Sequence, residues 1–314
     1  MTQRMFLVVI PAFNKAETIK RSIQSVLDQS ILCDILVIND GSTDRTVEEL
    51  NSILHKRVIV VHQENQGVSY SRNEGIRYAV ENKYDQIAFL DADDYWLDNH
   101  LEQIAELIHL YPEADVYANN YQLKVGISKW DANKYSHIKQ QKPNLLVPFF
   151  KFNYLNSILS SSSICMKVDQ TDILFYNEKI THTEDTDFLI RVGIHKKVAF
   201  HPKPAVVIDQ TSSNRSHEVG LENRVITNFS IYEDQYTEVI GLKKYLDINR
   251  FSIAISYRLA NDIKNANIYQ HKIDLRNLSM KQKQLLKMNN RQLKSLKKTQ
   301  EILGNLGFRL RTGR

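Results

Sequence analysis

Two acidic clusters stand where side chains could do chemistry. The stretch IAFLDADDYW, residues 87–96, runs four apolar residues into Asp91, Asp93 and Asp94 and follows them with Tyr95 and Trp96. Carboxylates crowded at a strand end repel one another, and each makes the next harder to ionise. A positive partner is therefore expected among them. The second cluster is Glu184, Asp185 and Asp187 in THTEDTDF. Acids in the first turn of a helix are favoured by its macrodipole whatever their chemistry, yet a carboxylate in that place can also take a proton from a hydroxyl. Asp40 in INDGST has the setting of an Asx-type turn before Gly41. Arg72 is a cation suited either to a surface ion pair or to an anionic ligand.

The elements that must position these residues alternate along the first part of the chain. FLVVIPAFN reads as a buried strand ending at Pro11, with Asn14 able to cap a helix in which Ile19, Ile23, Val26 and Leu27 keep helical spacing. Then come the strand DILVIND, a helix near TVEELNSIL, the strand VIVVHQ, a helix near SYSRNEGIRYAVEN and the strand QIAFLD. Such alternation implies an α/β fold with a mainly parallel sheet flanked by helices. Ligands of open α/β sheets bind beyond the C-terminal ends of the strands. Here those ends carry PAFN, NDGSTD and DADD, which places Asn14, Asp40 and the Asp91 to Asp94 cluster on one edge.

Further on, residues 98–110 read as a helix, ADVYANNYQLKV as a strand, and the polar stretch from Gly126 to about Pro148 as a loop over the site. SSSSICMKV reads as a strand and EDTDFLIRVGIHK as a helix, while Pro202 and Pro204 make VAFHPKPAVVI extended. From Leu221 the pattern is helical and without repeats. The expected division is a domain over 1–220 and a helical C-terminal region over 221–314.

A chain of 314 residues, 42% of them hydrophobic, can bury a full core. No apolar run approaches the roughly 20 residues that cross a bilayer, and MTQR leads straight into the strand-like MFLVVI without the long apolar core of a secretory signal. Cys33 and Cys165, each amid apolar neighbours, read as buried thiols in a reducing cytoplasm. The net charge of +5 is a property of the tail: from Lys281 to Arg314 ten basic residues face one acid, Glu301, and the rest of the chain carries a net of −4. Leu286, Leu293, Leu296, Leu303 and Leu310 recur there among Lys and Arg, an amphipathic pattern that suits helix packing or an anionic membrane surface. Nothing suggests nucleic-acid recognition.

Five segments in order, VVIPAFNKAETIKRSIQSVLDQS, ILVINDGSTDRT, NQGVSYSRNEGI, AFLDADDYW and FYNEKITHTEDTDFLIRVG, resemble the family 2 glycosyltransferases over about Phe6 to Gly193. The resemblance implies the Rossmann-like GT-A fold, inversion at the anomeric carbon, and a nucleotide-sugar donor, expected to be a UDP-hexose or UDP-N-acetylhexosamine. It implies Asp93 and Asp91 as ligands of a Mn2+ or Mg2+ ion, with Asp91 also near the ribose. Pro11 and Phe13 would wall the base, Asp40 would accept from the uracil, and Arg72 would serve the nucleotide. Asp185 would be the catalytic base and Glu184 would orient the acceptor. Some relatives complete the metal shell with a later histidine, which makes His217 in SSNRSHE a candidate and His201 a second one. A hard cation explains the acids, because it joins carboxylate to phosphate oxygens and stabilises the leaving diphosphate.

The acceptor expected on these grounds is a glycan or lipid-linked glycan of cell-surface polysaccharide synthesis, with the protein cytoplasmic and peripheral on the inner face of the membrane. The alternative is a catalytically weak GT-A-like scaffold held at a membrane by its basic tail. A sugar-1-phosphate nucleotidyltransferase would need a glycine-rich loop after the first strand, and PAFNKAE has no glycine.

Overall fold

A computed structural model describes residues 5–126, 129–133, 135, 142–212, 221 and 223–305, with side chains in the last helix described through Thr299. Four strands form a parallel block in the order β3-β2-β1-β4: β1 (Phe6–Ala12), β2 (Asp34–Asp40), β3 (Val58–Gln63) and β4 (Gln86–Phe89). Strand β1 alternates with a period of two. Phe6, Val8 and Ile10 join the core on one face, and Leu7 and Val9 join the core on the other. Helices cover both faces: α1 (Ile19–Leu27) and α4 (His100–Leu110) on the first, α3 (Val68–Glu81) and α5 (Glu184–His195) on the second. The short α2 (Thr46–Asn51) packs beside α1.

Beyond β4 the sheet changes direction. β9 (Ile164–Lys167) is antiparallel to both β4 and β6 (Val116–Gly126), and β10 (Val198–Asp209) then runs parallel to β6. The sheet is thus mixed, with a parallel half that carries the expected strand ends. Tyr95 and Trp96, which follow the acidic turn, form a two-residue strand, β5, antiparallel to β10 at the far edge. A two-residue element is too short for periodicity to reveal. The stretch expected to be one loop contains β7 (Lys129–Ala132) on β6 and β8 (Asn144–Leu145) on β10; its residues 127–128, 134 and 136–141 lie outside the described residues.

The C-terminal region is helical, as its pattern implies: α6 (Phe229–Gln235), α7 (Leu242–Leu259), α8 (Ile263–Gln270), α9 (Met280–Lys287) and α10 (Asn290–Asn305). Leu242, Tyr245, Leu246 and Tyr257 of α7 enter the same core as Phe150 and Phe188. Its Ile248 and Phe251 face Leu285 and Leu293, so the described part of the basic tail packs its leucines against α7. Cys33 and Cys165 are free and buried. Burial pushes both thiols up, Cys33 to about 12.

Helix α3 approaches β1 closely because Gly75 has no side chain: a Cβ there would lie 2.5 Å from both Cγ atoms of Val9. Gly75→Ala gains up to about 1 kcal/mol of helix propensity, while overpacking typically costs about 1 to 3 kcal/mol. The variant is expected to show a lower urea midpoint than the wild type, and adding Val9→Ala should recover part of the loss relative to Val9→Ala alone. An unchanged midpoint in Gly75→Ala would contradict this packing.

Candidate active site

The ends of β1, β2 and β4 meet as the strand order requires. Asn14, with φ of 53°, does not cap α1, which begins at Ile19 after Thr18. Its Oδ1 instead accepts from the backbone N–H groups of Thr43 (2.8 Å) and Asp44 (3.3 Å), pinning the loop after β1 to the loop after β2. A short polar side chain that tolerates the left-handed region can do this where a helix cap was expected. Asp40, at the end of β2, is buried. Its Oδ1 accepts from Gln63 Nε2 (2.7 Å) and Gln66 N (2.8 Å), and its Oδ2 from Gly67 N (2.8 Å). It therefore fixes the loop that starts α3. Gly41 follows at φ of 70°, and a Cβ on it would lie 2.8 Å from Asn65 N.

Arg72 rises from the first turns of α3 beneath the acidic turn. Its Nη2 donates to Asp91 Oδ1 at 2.7 Å and its Nη1 to Asp185 Oδ1 at 2.8 Å. The side chain is 3% exposed and its guanidinium lies 5.0 Å from the Tyr176 ring centroid. Tyr176 stacks in turn on Phe188 of α5 at 4.0 Å. Burial works against the charge, but Asp185 and Asp91 more than offset it and hold the guanidinium well above its ordinary pKa. Ser161 Oγ adds a second donor to Asp185 Oδ1 at 2.9 Å. The two acidic clusters, far apart in sequence, are thus joined through one guanidinium.

The other acids of the turn have separate partners. Asp93 Oδ2 accepts from Lys15 Nζ at 2.8 Å and from Ser212 Oγ at 3.2 Å. Asp94 is buried, and accepts from Ser162 Oγ at 2.6 Å and from Asp209 N at 3.0 Å. Burial and the charges of Asp91 and Asp93 push its carboxyl well above the usual range. Ser162 Oγ also accepts from Asp91 N at 3.1 Å, so Asp94 ties the acidic turn to the serine turn before β9 and to β10. Asp209 receives Arg21 (2.7 Å) and Lys124 (2.9 Å) on Oδ2 and Thr211 N (2.9 Å) on Oδ1. Despite burial, a bond from Thr211 Oγ1 (2.5 Å) together with these holds it below the carboxylate range. Arg21 Nη2 also donates to the Asp93 carbonyl at 2.6 Å.

The positive partners expected among the acids are therefore supplied in part by the chain itself, through Lys15, Arg21 and Arg72. Lys15, Arg21, Ser161, Ser162, Tyr176, Asp209 and Ser212 were not singled out from the sequence. Only the run of four serines, Ser160–Ser163, carried a visible signal. Pro11 is buried within β1, whereas Phe13 just beyond it is 43% exposed. His201 is engaged elsewhere, its Nε2 lying 3.5 Å from a Glu106 oxygen on α4. His217 lies outside the described residues.

Asp91 Oδ2 and Asp93 Oδ1 carry no hydrogen bond from the described residues, which also contain no cluster of three metal-ligating side chains. That donor set fits an ion such as Mg2+, which binds through one or two carboxylates and completes its shell with substrate phosphates and water. It does not fit an all-protein cage.

Residues 7–166, just over half of the chain, match the family described as Glycosyl transferase family 2. The matched region holds Asp40, Arg72 and the Asp91 to Asp94 turn, and ends before α5. Glycosyltransferase GlyA of Streptococcus pneumoniae serotype 4 is 31% identical over 118 residues, 36% of this chain and 16% of GlyA. Chondroitin synthase of Pasteurella multocida is 25% identical over 284 residues, 84% of this chain and 28% of the synthase. The chain thus spans between about a sixth and just over a quarter of the length of these relatives. Among solved structures, S. aureus TarS 1–349 in complex with UDP-GlcNAc superposes with a TM-score of 0.60 at 18% identity, covering 98% of this chain and 93% of that one. This is a likeness of fold.

Glu184 lies beside Asp185, and burial together with the Asp185 charge raises its carboxyl from 4.5 to about 7. Between those values the folded protein holds a proton that the unfolded chain releases, so this group lowers stability as pH rises through the window. Glu184→Gln is expected to match the wild type below about pH 4.5 and to gain on it up to pH 7, by at most a few kcal/mol. Parallel stability curves from urea unfolding across that range would refute the assignment.

Proposed function

This chain belongs to glycosyl transferase family 2, and on that premise we propose that it transfers a sugar from a nucleotide sugar to a hydroxyl by a single inverting displacement. The observation that carries the reading is the Arg72 bridge, which sets Asp91 of the first acidic cluster and Asp185 of the second about one guanidinium apart. In this reading, residues 1–220 form the transferase domain and the helices of 221–314 buttress it. The donor is a UDP-hexose or UDP-N-acetylhexosamine. The TarS structure with UDP-GlcNAc makes that donor the first to try.

The nucleotide lies across the ends of β1 and β2. The exposed Phe13 ring offers a stacking face for the base. Asp40 has three of roughly four acceptor sites filled by Gln63 at the end of β3 and by the loop that starts α3, which leaves one for a uracil N–H. Pro11, buried at the end of its strand just before Phe13, would complete the wall beside the base. Asp93 and Asp91 would hold Mn2+ or Mg2+. The ion, when bound, supplies Lewis-acid stabilisation of the departing diphosphate. Lys15 and Arg21, already at Asp93, offer further positive charge to the donor's phosphates.

On the acceptor side, Arg72 and Ser161 hold Asp185 Oδ1 and leave Oδ2 to receive the acceptor proton. As the hydroxyl oxygen bonds to the anomeric carbon, the bond to the donor phosphate breaks and its electron pair leaves with the nucleoside diphosphate. Glu184, poised between protonated and ionised near neutrality, orients the acceptor. The acceptor is a glycan or lipid-linked glycan of cell-surface polysaccharide synthesis, and the site works in the cytoplasm at an anionic membrane face. No described helix is long and apolar enough to cross a membrane.

Single-turnover transfer from UDP-GlcNAc tests the roles, with other nucleotide sugars screened beside it by nucleoside-diphosphate release. Asp185→Asn should bind donor as the wild type does but transfer about 10²- to 10⁴-fold more slowly, the usual contribution of a positioned base. Glu184→Gln should weaken acceptor binding more than the chemical step. Asp93→Ala should abolish metal-dependent donor binding, as should a chelator acting on the wild type. Retention of most of the rate by Asp185→Asn would remove it as the base, and undiminished turnover in Asp93→Ala would remove the metal assignment.

A further inference from the structure

The described part of the basic tail divides its faces. Leu285 and Leu293 are buried against α7, with Leu286 and Leu296 packed beside them, so that seam is committed to the protein. The outward side is different. A groove of about 410 Å³ lies between the end of α8, the turn Leu275–Asn277 and α9. Leu275, Met280 and Leu286 line it together with Arg276, Lys283 and Lys287. Met280 is 71% exposed and Leu275 53%. Lys283 and Lys287 make no ion pair among the described residues, whereas Arg276 pairs with Asp274 at 2.7 Å. From residue 263 to 299 ten lysines and arginines stand against that one acid.

We propose that this groove docks the protein on an anionic lipid surface, with Leu275 and Met280 against acyl chains and Lys283 and Lys287 at headgroup phosphates. The proposal deepens the membrane reading given above and rests on it, but moves the contact from the leucine seam of the tail to the groove in front of it. Charge complementarity selects an anionic partner. The apolar floor selects a lipid, since an acidic polymer would neutralise the lysines yet leave Leu275 and Met280 in water, where their burial could contribute nothing. A lipid interface satisfies both sets of groups at once.

Co-sedimentation of the full chain with vesicles tests this, using phosphatidylcholine alone and an equimolar mixture with phosphatidylglycerol. The wild type should bind the mixed vesicles, bind phosphatidylcholine weakly, and lose affinity as salt screens the attraction. Lys283→Gln with Lys287→Gln should weaken binding about 30-fold, since each cation near an anionic surface contributes about 1 kcal/mol. Leu275→Ser with Met280→Ser leaves the net charge unchanged and should weaken it about tenfold or more; both residues are exposed, so the fold should persist, which the melting temperature checks. Wild-type affinity in the serine pair would overturn the groove in favour of diffuse tail electrostatics. Failure of the wild type to bind would overturn the proposal outright, as would a lipid-independent dimer that the serine pair abolishes, which would assign the groove to a second copy of the chain. Nucleoside-diphosphate release without vesicles should be unchanged in all these variants. Its absence in the wild type with every donor would count against the transferase reading and leave the vesicle result standing.

Discussion

A guanidinium buried under two carboxylates is the constraint on which the rest of the site depends. Taking Arg72 out of water costs several kcal/mol, and the cost is recovered only if both partners stay in hydrogen-bonding geometry. Asp91 and Asp185 meet that condition at 2.7 and 2.8 Å. The arrangement reaches back through α3. Gly75 lets the helix sit on Val9, and Asp40 grips the backbone of Gln66 and Gly67 just before the helix begins. The residue proposed to face a base thus also anchors the start of the helix that carries Arg72.

Charge around the bridge is balanced locally rather than by one counter-ion. Lys15 faces Asp93, Arg21 and Lys124 face Asp209, and Asp94 is withdrawn into hydrogen bonds with Ser162 and the Asp209 backbone. The anionic donor proposed above would meet one oxygen each of Asp91 and Asp93 that carries no bond from the described residues, with cations standing beside them. Two like charges at 4 Å cost about 4 kcal/mol at a partly buried effective dielectric. That scale of repulsion is what Lys15, Arg21, Arg72 and a bound divalent ion together would have to offset.

The parallel half of the fold could be read from the sequence because each of its elements carries its own period. VIVVHQ is β3 residue for residue, and the helix expected near SYSRNEGIRYAVEN is α3. The direction of β9 could not be read that way, since a strand as short as ICMK packs equally well parallel or antiparallel and only its neighbours decide. β5 was hidden by its length. Convergence of Asp40 with the DADD turn followed from strand order alone. What joins the turn to Asp185 did not, because a hydrogen bond between residues 113 positions apart leaves no local trace. Asn14 looked like a helix cap, and in the fold its side chain serves the next loop instead. The tail leucines fitted packing and membrane contact equally, and α7 resolves those that are described.

The bridge itself is tested most directly by a double-mutant cycle in urea unfolding, with Asp91→Asn, Asp185→Asn and the two combined. With Arg72 in place, either single change leaves the guanidinium one carboxylate, while the double change leaves it buried with none. The double variant should therefore lose more stability than the sum of the singles, by about 0.5 to 3 kcal/mol, the range of coupling between residues in one network. Effects that simply add would mean that the two acids do not share Arg72, and the account of this site as one connected unit would be contradicted.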